Sequence, residues 1–521
     1  MGNRQAIRLA ALAAAAVFPA AAGFAGAAAG GETGRKPMSA IDWLSDSVAL
    51  PEKPPAEPAP SGGSEPPSVS VAPLDAAVPD RAGLIPAAEV GLDPAIWGRS
   101  AAADLAAAVA ALPDPAGAPP SLTRFLRDLM VARLDPPVDA AGDDSLFLAR
   151  IDMLLTLGRL SDARALIEAA GPAGPRRFRR AFDIALLTGT EAEACKTVGQ
   201  TPDISPTFPV RIYCLSRNGQ YDVAALTYGT AEALNLLTPD EDQVLMHFLD
   251  PVLFEGDPIP PPPALPTPLD FRLYEAIGER IATEPLPVAF AAADLTDTVG
   301  WKTRLRAAER LAGAGEIDMS RMLAIYAERR PAASGGIWDR VAAVETLHVA
   351  LTAGDKRHIE DALPPAWAAA RDGGYGPAFA VWLAPRLEGL ALTGSARHDG
   401  FEIALLAGEA DLAARFADPS RQDAFLVALA RGQTAAAPAD DLFGIALRRG
   451  LAGAGPGERF RSYLDDGRPG EALLRALAVL SDGAAGNPDA AGDALALLRS
   501  LGLGGLARQV AVELLLKEGE A

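Results

Sequence analysis

Beyond residue 98 the apolar residues recur at helical spacing, one segment after another. In "SGGIWDRVAAVETL" Ile337, Val341, Val344 and Leu347 stand at i, i+4, i+7 and i+10, one face of a single helix. Trp338 borders that stripe and reads as a core anchor, with a binding aromatic as the alternative. Residues 81–98, "RAGLIPAAEVGLDPAIWG", are apolar but carry Pro86 and Pro94. They are expected to run irregularly along the start of the folded body, because proline interrupts helical hydrogen bonding.

The helical segments share a spacing. Gly158 precedes Ala163 by five positions, and the same offset joins Gly189 to Ala194 and Gly219 to Ala224. It returns at Gly408 and Ala413, Gly467 and Ala472, and Gly502 and Ala507, with Gly315 and Ser320 as a weaker copy. A glycine closing an apolar helix supplies the left-handed residue that stops it. A small residue five positions on falls in the first turns of the next helix, where the two press closest. The pattern predicts a string of helical hairpins.

Composition agrees with an all-α chain. Alanine, the best helix former, is abundant, and aromatic residues are only 6% of 521. "LGRLSDARALIEAAGP", with Leu-Gly before the turn, Ala after it and Pro172 ending the unit, resembles the tetratricopeptide-type repeat. The likeness covers about residues 145–235 and is looser in the C-terminal half; most aromatic positions of the repeat are missing. It implies an α-solenoid of stacked helical hairpins, a degenerate tetratricopeptide-like repeat protein of the bacterial envelope.

The first residues place Arg4 and Arg8 ahead of an apolar run that ends in small residues at Ala25-Gly26-Ala27. This reads as a signal peptide over 1–27, an uncut anchor helix being the alternative, and so as a periplasmic or secreted protein. Pro-rich residues 28–80 are expected to form a disordered tether. Two helical-repeat regions follow, 81–255 and 271–521. Between them "GDPIPPPPALPTPLD", residues 256–270, is either a module boundary or an extended strap along a continuous stack. The formal charge is −20, and removing 1–27 with its two Arg and no acids leaves −22. Such a chain is repelled by nucleic acid and by anionic membranes. No later segment has the length of a membrane span.

Inside the tether, "KPMSAIDWLSDSVAL" carries Ser39 and Asp42 as a capping-box-like helix start. Ile41, Leu44 and Val48 then share one face, with Trp43 adjoining it. This short motif, 36–50, is expected either to dock into a partner's groove or to fold back on its own body.

Chemistry is sparse. Cys195 follows the Gly189 turn and Cys214 precedes the Gly219 turn, which puts them on consecutive helices. In an oxidising compartment this pairing predicts a disulfide. His247, His348, His358 and His398 are scattered, without the spacing of a metal site. The arginines of "GPRRFRR" (Arg176, Arg177, Arg179 and Arg180) suggest either an anion cradle or a solvated face, with Arg179 in reach of Asp183. No nucleophile elbow or phosphate loop is present. Soluble lytic transglycosylases are similar in combining an exported α-superhelix with a catalytic module, but their Glu-Ser pair is missing here. The expectation is a non-enzymatic scaffold or adaptor without cofactor or metal, its partners unidentified envelope proteins, with the peptidoglycan machinery as one candidate. The alternative is an accessory to, or degenerate member of, the transglycosylase-like superhelical proteins.

Overall fold

A computed structural model describes residues 78–520 apart from 141–143, 172–173, 206, 332, 435–438, 440, 454 and 483–486. The described residues are overwhelmingly helical. The strands among them are two-residue segments, β1 (Ile85–Pro86) and β2 (Ala132–Arg133), which pair in parallel. The chain runs through α1 (Ala102–Ala110), α2 (Pro120–Val131), α3 (Ser145–Thr156), α4 (Leu160–Ala169), α5 (Pro175–Thr188) and α6 (Glu191–Gln200). It continues through α7 (Phe208–Arg217), α8 (Tyr221–Ala233), α9 (Pro239–Leu249) and α10 (Pro268–Ala276). After a run of 3-10 turns over Val288–Leu295 come α11 (Trp301–Ala314), α12 (Met319–Tyr326), α13 (Ile337–Ala353), α14 (Lys356–Asp372) and α15 (Gly376–Leu383). The remainder holds α16 (Gly394–Ala407), α17 (Ala410–Phe416), α18 (Arg421–Ala430), α19 (Leu442–Leu451), α20 (Glu458–Asp465), α21 (Pro469–Ser481), α22 (Pro488–Ser500) and α23 (Gly504–Glu520).

Local chemistry explains the boundaries. Proline occupies the first turn of α2, α5, α7, α9, α10, α15, α21 and α22, where a missing N–H leaves no bond unmade. Thr238 and Thr267 each form a reciprocal capping box, with Glu241 and Asp270 respectively. All seven turn glycines, Gly158, Gly189, Gly219, Gly315, Gly408, Gly467 and Gly502, adopt left-handed backbone. Of their partners, Ala163, Ala224, Ala413, Ala472 and Ala507 are fully buried, while Ala194 is half-buried and Ser320 exposed. The weaker copy is thus a turn without the close contact.

Residues 81–98 follow the expected irregular course, with Leu92, Ile96 and Trp97 buried. Arg150 on α3 ties this strap down: its buried guanidinium donates to the carbonyls of Asp80, Ala82, Met130 and Ala132. The Ile337, Val341, Val344 and Leu347 stripe is buried, and Trp338 packs its ring 5.3 Å from that of Trp301.

Two cores divide the side chains. The larger runs from Ala87 to Leu514 and takes in most helices. The smaller gathers Phe178, Phe182, Leu186, Cys195, Val198, Ile212, Cys214, Val244 and Leu273 from α5 to α10. Helix α5 serves both: Phe178, Phe182 and Leu186 face the smaller core, Ile184 and Leu187 the larger. Helix α10 does the same with Leu269 and Leu273 against Phe271. These two helices pack together and form the wall between the cores. The proline stretch 256–270 leads into that wall, and Pro261 accepts a hydrogen bond from the Tyr274 hydroxyl.

The first described helices meet the last. Helix α2 packs on α23 and α1 on α21. The Arg99 N–H donates to the Gly467 carbonyl at 2.9 Å, and Lys517 donates to the Gly117 carbonyl at 2.8 Å. An open stack leaves an apolar face at each end that needs a polar cap. Here the end faces cover one another instead.

Candidate functional site

The two cysteines are joined. Cys195 on α6 and Cys214 on α7 form a disulfide across adjacent helices, with Cα atoms 4.7 Å apart, inside the smaller core. Ile41, Trp43, Leu44 and Val48 lie outside the described residues.

The arginine run at the start of α5 is spent internally. Arg176 pairs with Asp144 at 2.7 Å, and Arg177 donates to the Ala170 carbonyl. Arg180 grips both oxygens of Asp152, and Arg179 reaches Asp183 one turn on, as the spacing predicts. Burial pushes the Asp183 carboxyl above the usual range even with two arginines beside it. An anion would have to break these pairs to bind there.

The histidines stay apart. His247 Nδ1 bonds the Gln243 carbonyl and its ring stacks on Phe254; His348 lies against Trp382. His358 bonds Asp355 at 2.6 Å at the start of α14, and His398 is exposed on α16. Among the described residues no three His, Cys, Asp or Glu side chains could share a metal ion.

A polar cluster buried in the larger core is likewise consumed. Glu309 accepts from the Tyr326 hydroxyl and from two nitrogens of Arg340, while Tyr326 also bonds Tyr375. Desolvation drives both tyrosines well above their ordinary range. Two grooves open to solvent accompany this interior. One, of about 310 Å³, is lined by Thr346, His358, Asp361 and Pro365; the other, of about 340 Å³, by Arg124, Asp128, Gly408 and Gln509. Open grooves of this size do not enclose most of a small molecule, as a ligand pocket must.

The feature that folding does not explain lies on α8. This helix buries Ala224 and Ala231, both 0% exposed, against its neighbours and turns its large apolar residues outward. Leu226 is 73% exposed, Leu234 60% and Val223 48%. With Thr230 they stand at i, i+3, i+7 and i+11, one continuous face. Tyr221, Leu236, Val252 and Leu253 are exposed nearby in sequence. Helix α9 returns beside α8, with the Tyr228 hydroxyl donating to Asp242 at 2.7 Å. The turn after α9 carries the exposed Val252 and Leu253. Isolated exposed apolar residues are ordinary, but a contiguous face is a mark of interaction surfaces.

Charge along this stretch of the chain is one-sided between Arg217 and Arg272. Residues 218–271 contain nine acids and no Lys or Arg. Asp222, Glu232, Asp240, Asp250, Glu255 and Asp257 are exposed. Sequence reasoning passed over this surface, although the missing cations were visible. Only the burial of the alanines shows that the Val and Leu face of α8 points outward.

The chain matches no known protein-family model, no curated protein and no solved structure. No helix among the described residues is long and apolar enough to cross a membrane.

Proposed function

We propose that this protein is an exported, non-enzymatic adaptor of the cell envelope. In this reading the helical hairpins stack as a tetratricopeptide-like solenoid whose first and last helices meet, and they present surfaces to other proteins. The observation that carries it is the outward apolar face of α8 on a body whose buried Glu309, Tyr326 and Arg340 cluster is occupied internally. The disulfide supports an oxidising destination, consistent with a leader over residues 1–27. Residues 36–50, with Ile41, Trp43, Leu44 and Val48, supply a second docking element on a tether. Envelope proteins, the peptidoglycan machinery among them, are the proposed partners.

The test compares proteins recovered with the intact exported chain and with a chain lacking residues 36–50, alongside incubation of the purified chain with peptidoglycan. A defined partner set that shrinks with the deletion supports the reading. Release of muropeptides would overturn it in favour of a transglycosylase-like enzyme.

A further inference from the structure

Apolar side chains facing water on α8 specify an occupant, and the charges around them specify its sign. We propose that the outward face of α8 binds a cationic amphipathic helix, one with aliphatic residues at helical spacing flanked by Lys or Arg. The proposal rests on the adaptor reading and names the partner chemistry of one surface.

Three features carry it. Val223, Leu226, Thr230 and Leu234 make a stripe along the full length of α8, the footprint of a single helix laid alongside. Of the exposed acids on α8, Asp222 flanks the start of the stripe, while Glu232 lies near its finish on the far side of the helix. Asp250, Glu255 and Asp257 are exposed beside Val252 and Leu253 in sequence. No cation within residues 218–271 offsets them. A basic partner gains Coulomb attraction on approach and buries the stripe on contact, and opposite potentials of this kind set both speed and partner choice.

The same charges disfavour other occupants. Residues 36–50 bring Asp42 and Asp46 against the single Lys36, acid toward acid. A second copy related by a twofold axis would set each acidic border against its own image. Anionic lipid is repelled for the same reason.

The experiment uses the full mature chain and a synthetic Leu/Lys helix with Leu at i, i+3, i+7 and i+11, followed by fluorescence anisotropy. Binding should occur and weaken with added salt, as screening of opposite charges requires. A Leu/Glu helix of the same spacing should not bind. The double variant Val223→Ser, Leu226→Ser should weaken binding of the Leu/Lys helix by about tenfold or more, with an unchanged melting curve because both side chains are exposed. Val349→Ser, an exposed apolar residue on α13, should leave it unaltered. Hydrogen exchange should show new protection at 221–236.

Equal binding by the double variant, or equal loss in Val349→Ser, would mean that the peptide merely answers the overall negative charge, and the proposal falls. Self-association abolished by the double variant would give the face to a second copy. Adsorption to phosphatidylglycerol vesicles that depends on Leu226 would give it to a membrane. Either result overturns the proposal while leaving the adaptor reading intact; muropeptide release would overturn that reading without touching the peptide result.

Discussion

Ser121 donates both its backbone N–H and its hydroxyl to the carboxylate of Glu513, 392 residues further along the chain. The pair is buried at the seam where α2 meets α23 and joins the first helices to the last. Burial pushes the Glu513 carboxyl above the ordinary range, and the Ser121 bonds only partly pull it back. A carboxyl whose folded pKa is raised holds its proton more tightly in the folded protein. Its contribution to stability is therefore full below the unfolded value, about 4.3, and is lost as pH climbs through the folded value. Glu513→Gln, which still offers an oxygen to both donors, removes this titration. Melting curves between about pH 4 and 8 should show the wild type losing ground to the variant as pH rises. Wild type gaining on the variant across that window would show that folding favours the carboxylate.

Arg150 holds the N-terminal strap through four carbonyls, with the Asp80 charge acting on it as well. Burial pushes its pKa down to about 10, so it stays charged at neutral pH. Arg150→Met should cost about 3–5 kcal/mol, since it strands buried acceptors in place of the charge that satisfied them. Arg150→Lys should recover little of this, because one ammonium cannot span carbonyls that a planar guanidinium reaches from three nitrogens. Denaturant melts measure the loss, and limited proteolysis should find new cleavage near residues 80–90. Full recovery in the lysine variant would show that charge alone, and not the fork geometry, holds the strap.

Helices α19 and α22 cross on glycine. A Cβ placed on Gly450 would stand 2.2 Å from the Gly492 carbonyl oxygen, and one on Gly492 would stand 2.6 Å from that of Ala446. Backbone, not a flexible side-chain end, is what each meets. Helix propensity favours alanine over glycine by up to about 1 kcal/mol, yet either Gly→Ala change should destabilise by about 1–3 kcal/mol as the helices are forced apart. Gly505→Ala, where nothing lies within 4 Å on α23, provides the contrast. It should be neutral or stabilising. A rise in melting temperature for Gly450→Ala would refute the close crossing.

The hairpins were legible because each depends on neighbours in sequence. A glycine turn, a small residue five positions on and an apolar period are local signals, and Gly158 with Ala163 shows all three. The disulfide followed from the same logic, since the turns at Gly189 and Gly219 fix which helices are adjacent. Contacts between distant segments left no such trace. Nothing in "PSLTRFL" announces that Ser121 will meet Glu513, and Gly450 and Gly492 look like ordinary helix breakers until their backbones touch. The Arg176 to Arg180 run was ambiguous for the same reason: two of its acceptors, Asp144 and Asp152, come from the preceding hairpin. On α8 the stripe itself was readable, but an apolar stripe normally points inward, and only contact with α7 and α9 shows that the alanine side is the buried one.

The Cys195–Cys214 bridge lies within the smaller core, so its loss should be felt there first. Closing a loop of about 20 residues restricts the unfolded chain by about 3 kcal/mol. Replacing both cysteines with alanine should lower stability by a comparable amount, and reduction of the native protein should lower the melting temperature. The distribution of the loss is the more informative result. Helices α6 to α9 depend on the smaller core, whereas α5 and α10 are also held by the larger one through Ile184, Leu187 and Phe271. Hydrogen exchange in the double variant should therefore accelerate from α6 to α9, with α5 and α10 less affected and the Ser121–Glu513 seam unchanged. Calorimetry should then resolve a lower-temperature transition ahead of the main one. A single transition shifted as a whole, with exchange raised equally at α2 and α23, would mean that the shared wall of α5 and α10 couples the two cores into one cooperative unit.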